Sequence, residues 1–161
     1  MNDSLTNNLL LQNMLFTGKV STDFGNLISV QMTPVYESLG IIIPVKSSSI
    51  MAMIKKHKII SLADLSKALH QSHQLVNQKL PKLHQLNLIT KESDPNDKRC
   101  KVFSLTEQGE KQVQLLTEQS EKIRELFCGL STELGVDIHA LLESAIDALN
   151  NESLLTRFEK L

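Results

Sequence analysis

The sequence predicts a mainly α protein with a single small β-hairpin, and three features predict it. Apolar residues recur at three- and four-residue steps, as in Val76, Leu80 and Leu83, which is the period of an amphipathic helix. One stretch departs from that period. Asp94, Pro95, Asn96 and Asp97 are turn formers, Lys98 and Arg99 add two cations, and Val102, Phe103 and Leu105 are β-prone. Immediately upstream lie a short helix, a turn and a second helix. A helix-turn-helix followed by a charged hairpin is a winged helix-turn-helix, an arrangement suited to reading duplex DNA.

At 161 residues the chain is one domain's worth, with room for a modest core. Aromatic residues make up 4% and Trp is absent, so that core must be aliphatic. Cys100 and Cys128 make no disulfide framework, no secretory segment precedes them, and no apolar run approaches a membrane span. The expectation is a reduced, cytoplasmic protein with no membrane partner. Net charge is −1, yet residues 55–101 hold ten Lys/Arg against four Asp/Glu, and residues 102–161 hold five against eleven. A basic middle joined to an acidic end implies one surface facing DNA and another facing elsewhere. A solvated charge run is the plainer reading of the same numbers.

In chain order, residues 4–17 place Leu5, Leu9 and Phe16 at helical spacing, with Gly18 as a stop and Ser21 as the next cap. A helix over about 22–39 follows, interrupted by Pro34 with a kink expected near Val30, and ended by Gly40. Ile41, Ile42 and Ile43 read as a buried connector, and Pro44 opens a helix to about His57 that faces Ile50, Met51 and Ile54 inward. Lys58 to Ile60 forms a strand of one or two residues. Ser61 and Asp64 give a capping-box-like start to a short helix, and Ser72 caps the helix 73–86. Asn87 supplies its left-handed stop. Leu88–Ser93 and Cys100–Leu105 are the hairpin strands. Thr106 caps a long helix with a seam of Val113, Leu116, Ile123, Phe127 and Leu130, broken from Gly129 to Val136, and Asp137 caps one last helix.

The outward face of helix 73–86 carries Gln74, Asn77, Gln78 and Pro81, flanked by His73 and Lys82. Gln and Asn can bond adenine N6 and N7 in pairs, whereas Ser72 and Lys82 suit phosphate. An ordinary solvated polar face is the alternative. Arg99 on a thin hairpin can enter a minor groove, where negative potential concentrates, with Asp97 to brace it or to fix the turn. Cys100, between Arg99 and Lys101, sits in surroundings that favour thiolate, although a passive thiol is the simpler role. Cys128 reads as buried filler. His70, His73 and His84 straddle a turn with no carboxylate or thiolate to complete a metal set. No metal, no cofactor and no catalytic grouping is expected.

These residues also resemble a known family. Asp-Pro-x-Asp-x-Arg followed by Leu-Thr-x-x-Gly, here Asp94, Pro95, Asp97, Arg99, Leu105, Thr106 and Gly109, is similar to the wing signature of the MarR (multiple antibiotic resistance regulator) family. The resemblance covers about residues 22–128 well, and the two ends agree in being helical. A closer likeness, carried by Tyr36–Ile41 and Ser72–Gln78, is to the regulator half of MarR–acetyltransferase fusions, without room for the acetyltransferase. The resemblance implies a homodimer on a palindromic operator, built from the terminal helices. It also implies small anionic or phenolic effectors bound between those helices and the DNA-binding lobe, with Phe24, Ile28, Met32 and Tyr36 as lining candidates. In the peroxide-sensing members the cysteine lies in the first helix, where this chain has none.

The resulting expectation assigns residues 1–43 and 107–161 to dimerisation and 44–106 to DNA binding. The terminal helices are more apolar than one small winged helix can cover, which favours a symmetric dimer over an intramolecular bundle. The function expected is a transcriptional regulator, most simply a repressor. The alternative is a winged-helix protein-interaction module that no longer binds operator DNA, favoured by Pro81 and the low net charge.

Overall fold

Residues 14–94 and 97–161 are described by a computed structural model. The chain divides into two units, one ending at Leu116 and the other running from Thr117 to Leu161. In the first, a 3-10 turn at Met14–Phe16 leads into α1 (Thr17–Ser38). Most of the helix expected over residues 4–17 lies outside the described residues. Gly18 and Ser21 do not separate two helices, because both lie inside α1. A lone glycine costs a helix only about 1 kcal/mol, and the Ser21 hydroxyl bonds back to the Thr17 carbonyl at 2.9 Å instead of capping. Pro34 is accommodated within α1. The helix stops where expected: Gly40 takes φ +74°, and the Ile41 N–H returns to the Tyr36 carbonyl at 2.9 Å.

The connector alternates. Ile41 and Ile43 are buried, whereas Ile42 faces outward, since extended backbone turns successive side chains to opposite sides. Pro44 sits just ahead of a 3-10 turn (Val45–Ser47) that leads into α2 (Ser48–His57), whose Ile50, Met51 and Ile54 are fully buried. Lys58 ends α2 at φ +65°, which delays β1 to Ile60–Ser61. Then follow α3 (Leu62–Ala68), α4 (His73–Gln85), β2 (Ile89–Ser93), β3 (Lys101–Leu105) and α5 (Glu107–Glu118). Ser61 caps α3 by accepting the Asp64 N–H at 3.1 Å, and its hydroxyl donates to the Asp64 carboxylate at 2.7 Å. The sheet is antiparallel in the order β1-β3-β2, with Phe103 opposite Ile60 on one side and Lys91 on the other. Helices α2, α3 and α4 bury Met51, Leu65, Val76 and Leu83 in an aliphatic core shared with Leu88, Ile89 and Phe103.

The start of α5 is tied to the end of α4. Thr106 donates its N–H to the Leu88 carbonyl at 3.1 Å and its hydroxyl to the Asn87 carbonyl at 2.5 Å, while accepting the Gly109 N–H at 2.9 Å. That triple anchorage draws α5 so close that a Cβ on Gly109 would stand 2.0 Å from the Leu88 oxygen. Only glycine fits.

The second unit differs from the single seamed helix expected. α5 stops at Glu118 and α6 spans Ser120–Leu134. The polar run from Thr117 to Lys122 offers no apolar residue to hold the seam, and Thr and Ser are weak helix formers. Gly129 lies inside α6, which instead ends at Gly135 (φ +69°), with the Val136 N–H on the Ser131 carbonyl at 3.1 Å. Cys128 is exposed, not filler, because it falls one step round the helix from the less exposed Phe127. Asp137 caps α7 (Ile138–Asn151) as expected, accepting the Ala140 N–H at 3.0 Å. The last helix is then interrupted: Glu152 is extended and Ser153 caps a separate α8 (Leu154–Phe158). The Arg157 guanidinium donates to the Ala148 carbonyl at 2.9 Å, satisfying the end of α7. Nothing from 117 to 161 is buried.

Candidate nucleic-acid interface

The inner face of α4 determines what its outer face shows. Val76, Leu80 and Leu83 are buried, which turns His73, Gln74, Asn77, Gln78, Pro81 and Lys82 to solvent, as the spacing predicts. Ser72 holds the first turn by accepting the Leu75 N–H at 3.2 Å. Pro81 stays within the helix on its exposed side, where water can reach the carbonyl it leaves unbonded. Asn87 adopts φ +54° and its amide donates to Gln108 at 3.3 Å, so the left-handed stop is made by asparagine. No carboxylate lies on α4.

Two lysines flank this helix differently. Lys82 is exposed, whereas Lys79 is half-buried and donates to the Gln71 amide oxygen at 3.1 Å. Burial, and secondarily the charge of Lys46, lower the Lys79 ammonium from the ordinary lysine range. Lys46 itself donates to Asn26 at 2.6 Å. Neither Lys46 nor Lys79 stood out in the sequence, because a lysine's burial depends on what packs over its stem.

At the wing, Pro95 and Asn96 lie outside the described residues. Asp97 fills both roles expected of it. One carboxylate oxygen accepts the Arg99 N–H at 3.0 Å and the Arg99 Nε at 3.2 Å. Those two bonds hold its carboxyl below the usual range. The Arg99 side chain is nonetheless 92% exposed. Lys98 is exposed beside it. The other Asp97 oxygen faces the Cys100 thiol at 3.6 Å. Of the two readings the passive thiol is the one this geometry favours: Asp97, ahead of burial and Asp94, pushes the Cys100 thiol up and outweighs Arg99.

Behind α4, a cleft of about 600 Å³ is lined by Tyr36, Ile41 to Lys46, Lys82 of α4 and Leu86 just past its end. Of the four lining candidates, only Tyr36 reaches it. Its hydroxyl lies 3.1 Å from that of Ser48. Met32 is buried, and Phe24 and Ile28 are half-buried on other parts of α1. Gln112 closes one side of the connector, accepting the Ile42 N–H at 2.8 Å and donating to the Gly40 carbonyl at 3.2 Å.

Residues 43–99 match the MarR family. The match spans α2 to the wing arginine. The fold is the MarR winged helix, since solved MarR-type structures superpose at low identity. A cysteine-to-serine mutant of MarR from E. coli, solved with operator DNA, has 19% identity and a TM-score of 0.64 over 82% of this chain and 91% of its own. YusO from Bacillus subtilis has 19% identity and a TM-score of 0.53, covering 95% and 99%. AbsC, a MarR family transcriptional regulator from Streptomyces coelicolor, has 17% identity and a TM-score of 0.59, covering 83% and 92%. No curated protein matches the sequence. Among the described residues, no helix is long and apolar enough to cross a membrane.

Proposed function

We propose that this chain is a MarR-type transcriptional regulator, a cytoplasmic repressor that binds a palindromic operator in double-stranded DNA as a homodimer. The observation that carries the reading is the solvent face of α4: exposed amides at Gln74, Asn77 and Gln78, no carboxylate, and an exposed Arg99 in the same unit. Gln74, Asn77 and Gln78 read base edges, while Ser72, His73 and Lys82 engage phosphate and groove wall. Arg99, braced by Asp97 and accompanied by Lys98, enters the minor groove. The match over residues 43–99 and the operator complex of the E. coli relative support this assignment. The likeness of Tyr36–Ile41 and Ser72–Gln78 to the regulator half of the acetyltransferase fusions belongs to the same reading.

The cleft behind α4 supports effector control in this reading. A small anionic or phenolic ligand seated against Tyr36 and Lys82 would bear directly on the recognition helix. Dimerisation falls to the terminal helices, whose apolar side chains are exposed in the single chain. The test is selection of duplexes from a random pool by the full chain. Gln74→Ala and Asn77→Ala should then weaken binding to the selected duplex far more than to random duplex. Equal losses on both would remove the base-reading role, and no enrichment at all would favour the protein-interaction alternative.

A further inference from the structure

The exposed face of α4 carries one large apolar residue that the polar readout does not use. Leu75 is 51% exposed in the first turn of the helix, shortly after the capping Ser72. At about 100° per residue, Gln74, Gln78 and Pro81 form the central ridge of the outward face, and Leu75 and Asn77 lie on its opposite flanks. The Leu75 flank continues to the exposed Lys82, nearly two turns further along. On this flank an apolar side chain precedes a cation, whereas the other flank presents an amide.

We infer that Leu75 is a specificity-determining residue that packs against the C5-methyl of thymine, so that each half-site requires thymine at one defined position. The inference rests on the DNA-binding role proposed above and goes beyond it by naming a base. In the major groove the thymine methyl is the only apolar group any base pair presents, and apolar side chains distinguish it by contact. Docked helices of this class bring their N-terminal residues to the base edges, and Leu75 is in that turn. An exposed leucine gains nothing in the free protein, yet desolvates readily against a methyl. Gln74, Asn77 and Gln78 are suited to adenine, so the amides and the leucine together favour A·T pairs in the half-site.

The experiment uses the full chain and a duplex it has enriched from a random pool, resynthesised with deoxyuridine replacing thymidine one position at a time. Uracil keeps the pairing and the O4 acceptor and lacks only the methyl. Wild type should lose about threefold to fivefold in affinity at one position per half-site, the worth of one buried methyl-sized group. Leu75→Ala should bind the thymine duplex that much more weakly and show no further loss with uracil there. Leu75→Gln should behave like Leu75→Ala toward the methyl, and circular dichroism should show both variants folded. A wild type indifferent to every thymine-to-uracil change overturns the inference while leaving DNA binding in place. So does a Leu75→Ala that is as sensitive as wild type. Failure to enrich any duplex overturns the DNA-binding reading itself, and this inference with it.

Discussion

The two units use equally amphipathic helices to opposite ends. In the first, the apolar faces of α2, α3 and α4 meet one another and the sheet, and Ile50, Met51, Ile54, Leu65, Val76 and Leu83 are shielded from water. In the second, α7 has just as regular an apolar period, yet Leu141, Leu142, Ile146 and Leu149, with Leu154, Leu155 and Phe158 of α8, are all exposed. A contiguous set of exposed apolar side chains marks an interaction surface. Helical period therefore states which face is apolar and leaves open what covers it. In the first unit the chain covers its own faces. In the second, we propose, a second copy does.

A large effect is expected at Gly109. Gly109→Val would press a side chain onto the Leu88 carbonyl and should cost about 3 kcal/mol or more, read as a fall in the denaturation midpoint. An unchanged midpoint would mean that α5 is not held at this close approach.

The same chemical change should then separate the two units. Leu65→Asp buries a carboxylate among aliphatic side chains and should unfold the first unit. Leu142→Asp with Leu149→Asp, both on the exposed face of α7, should leave helical content and the first unit's melting intact while converting dimer to monomer by light scattering. A dimer that survives the double change would remove α7 from the interface.

A smaller effect belongs to the wing. Arg99→Ala should leave stability within about 0.5 kcal/mol, because the side chain is exposed. It should lower the salt dependence of DNA binding by about one unit per subunit. The affinity loss should be greater beside A·T-rich flanks than G·C-rich ones, and Arg99→Lys should restore part of the salt slope but not that preference. Operator titrations across salt decide this, and an unchanged slope in Arg99→Ala would mean that the wing does not touch DNA.

The smallest effect is a titration within the same turn. The Asp97 carboxyl is depressed by the Arg99 N–H and guanidinium. Its ordering of the turn is thus fully present above the ordinary carboxylate range and lost as pH falls through its folded value. The Arg99 amide resonance should move in that acid window and stop moving in Asp97→Asn. A resonance that does not respond to acid would show that the carboxylate is not bonded to it.

Many of the elements were legible because their signals are short-range. Ser61, Ser72 and Asp137 each cap a helix through a backbone N–H three residues on, and Gly40 and Asn87 each stop one through their own left-handed φ. A cap and its target lie within one turn, so the residues name the contact. The outward set on α4 was equally readable, since burying Val76, Leu80 and Leu83 determines what remains outside.

Other features depended on atoms far along the chain. Glycine is visible at 109, but the Leu88 oxygen that forbids any other residue comes from the far side of the wing. Ile42 turns outward with its N–H on Gln112, a partner 70 residues away. The Cys100 thiol is pushed up by the Asp97 oxygen that the turn folds against it, which outweighs the Arg99 beside it in sequence. Tyr36 reaches the cleft behind α4 while Met32, one helical turn earlier, is enclosed. By itself the sequence determined the elements from α2 to β3, their caps and their inward faces, because those rest on backbone bonds and periodicity within a few residues. The tertiary structure alone decided which close approaches, charges and cavities those elements create, because proximity between distant residues exists only after the core has closed.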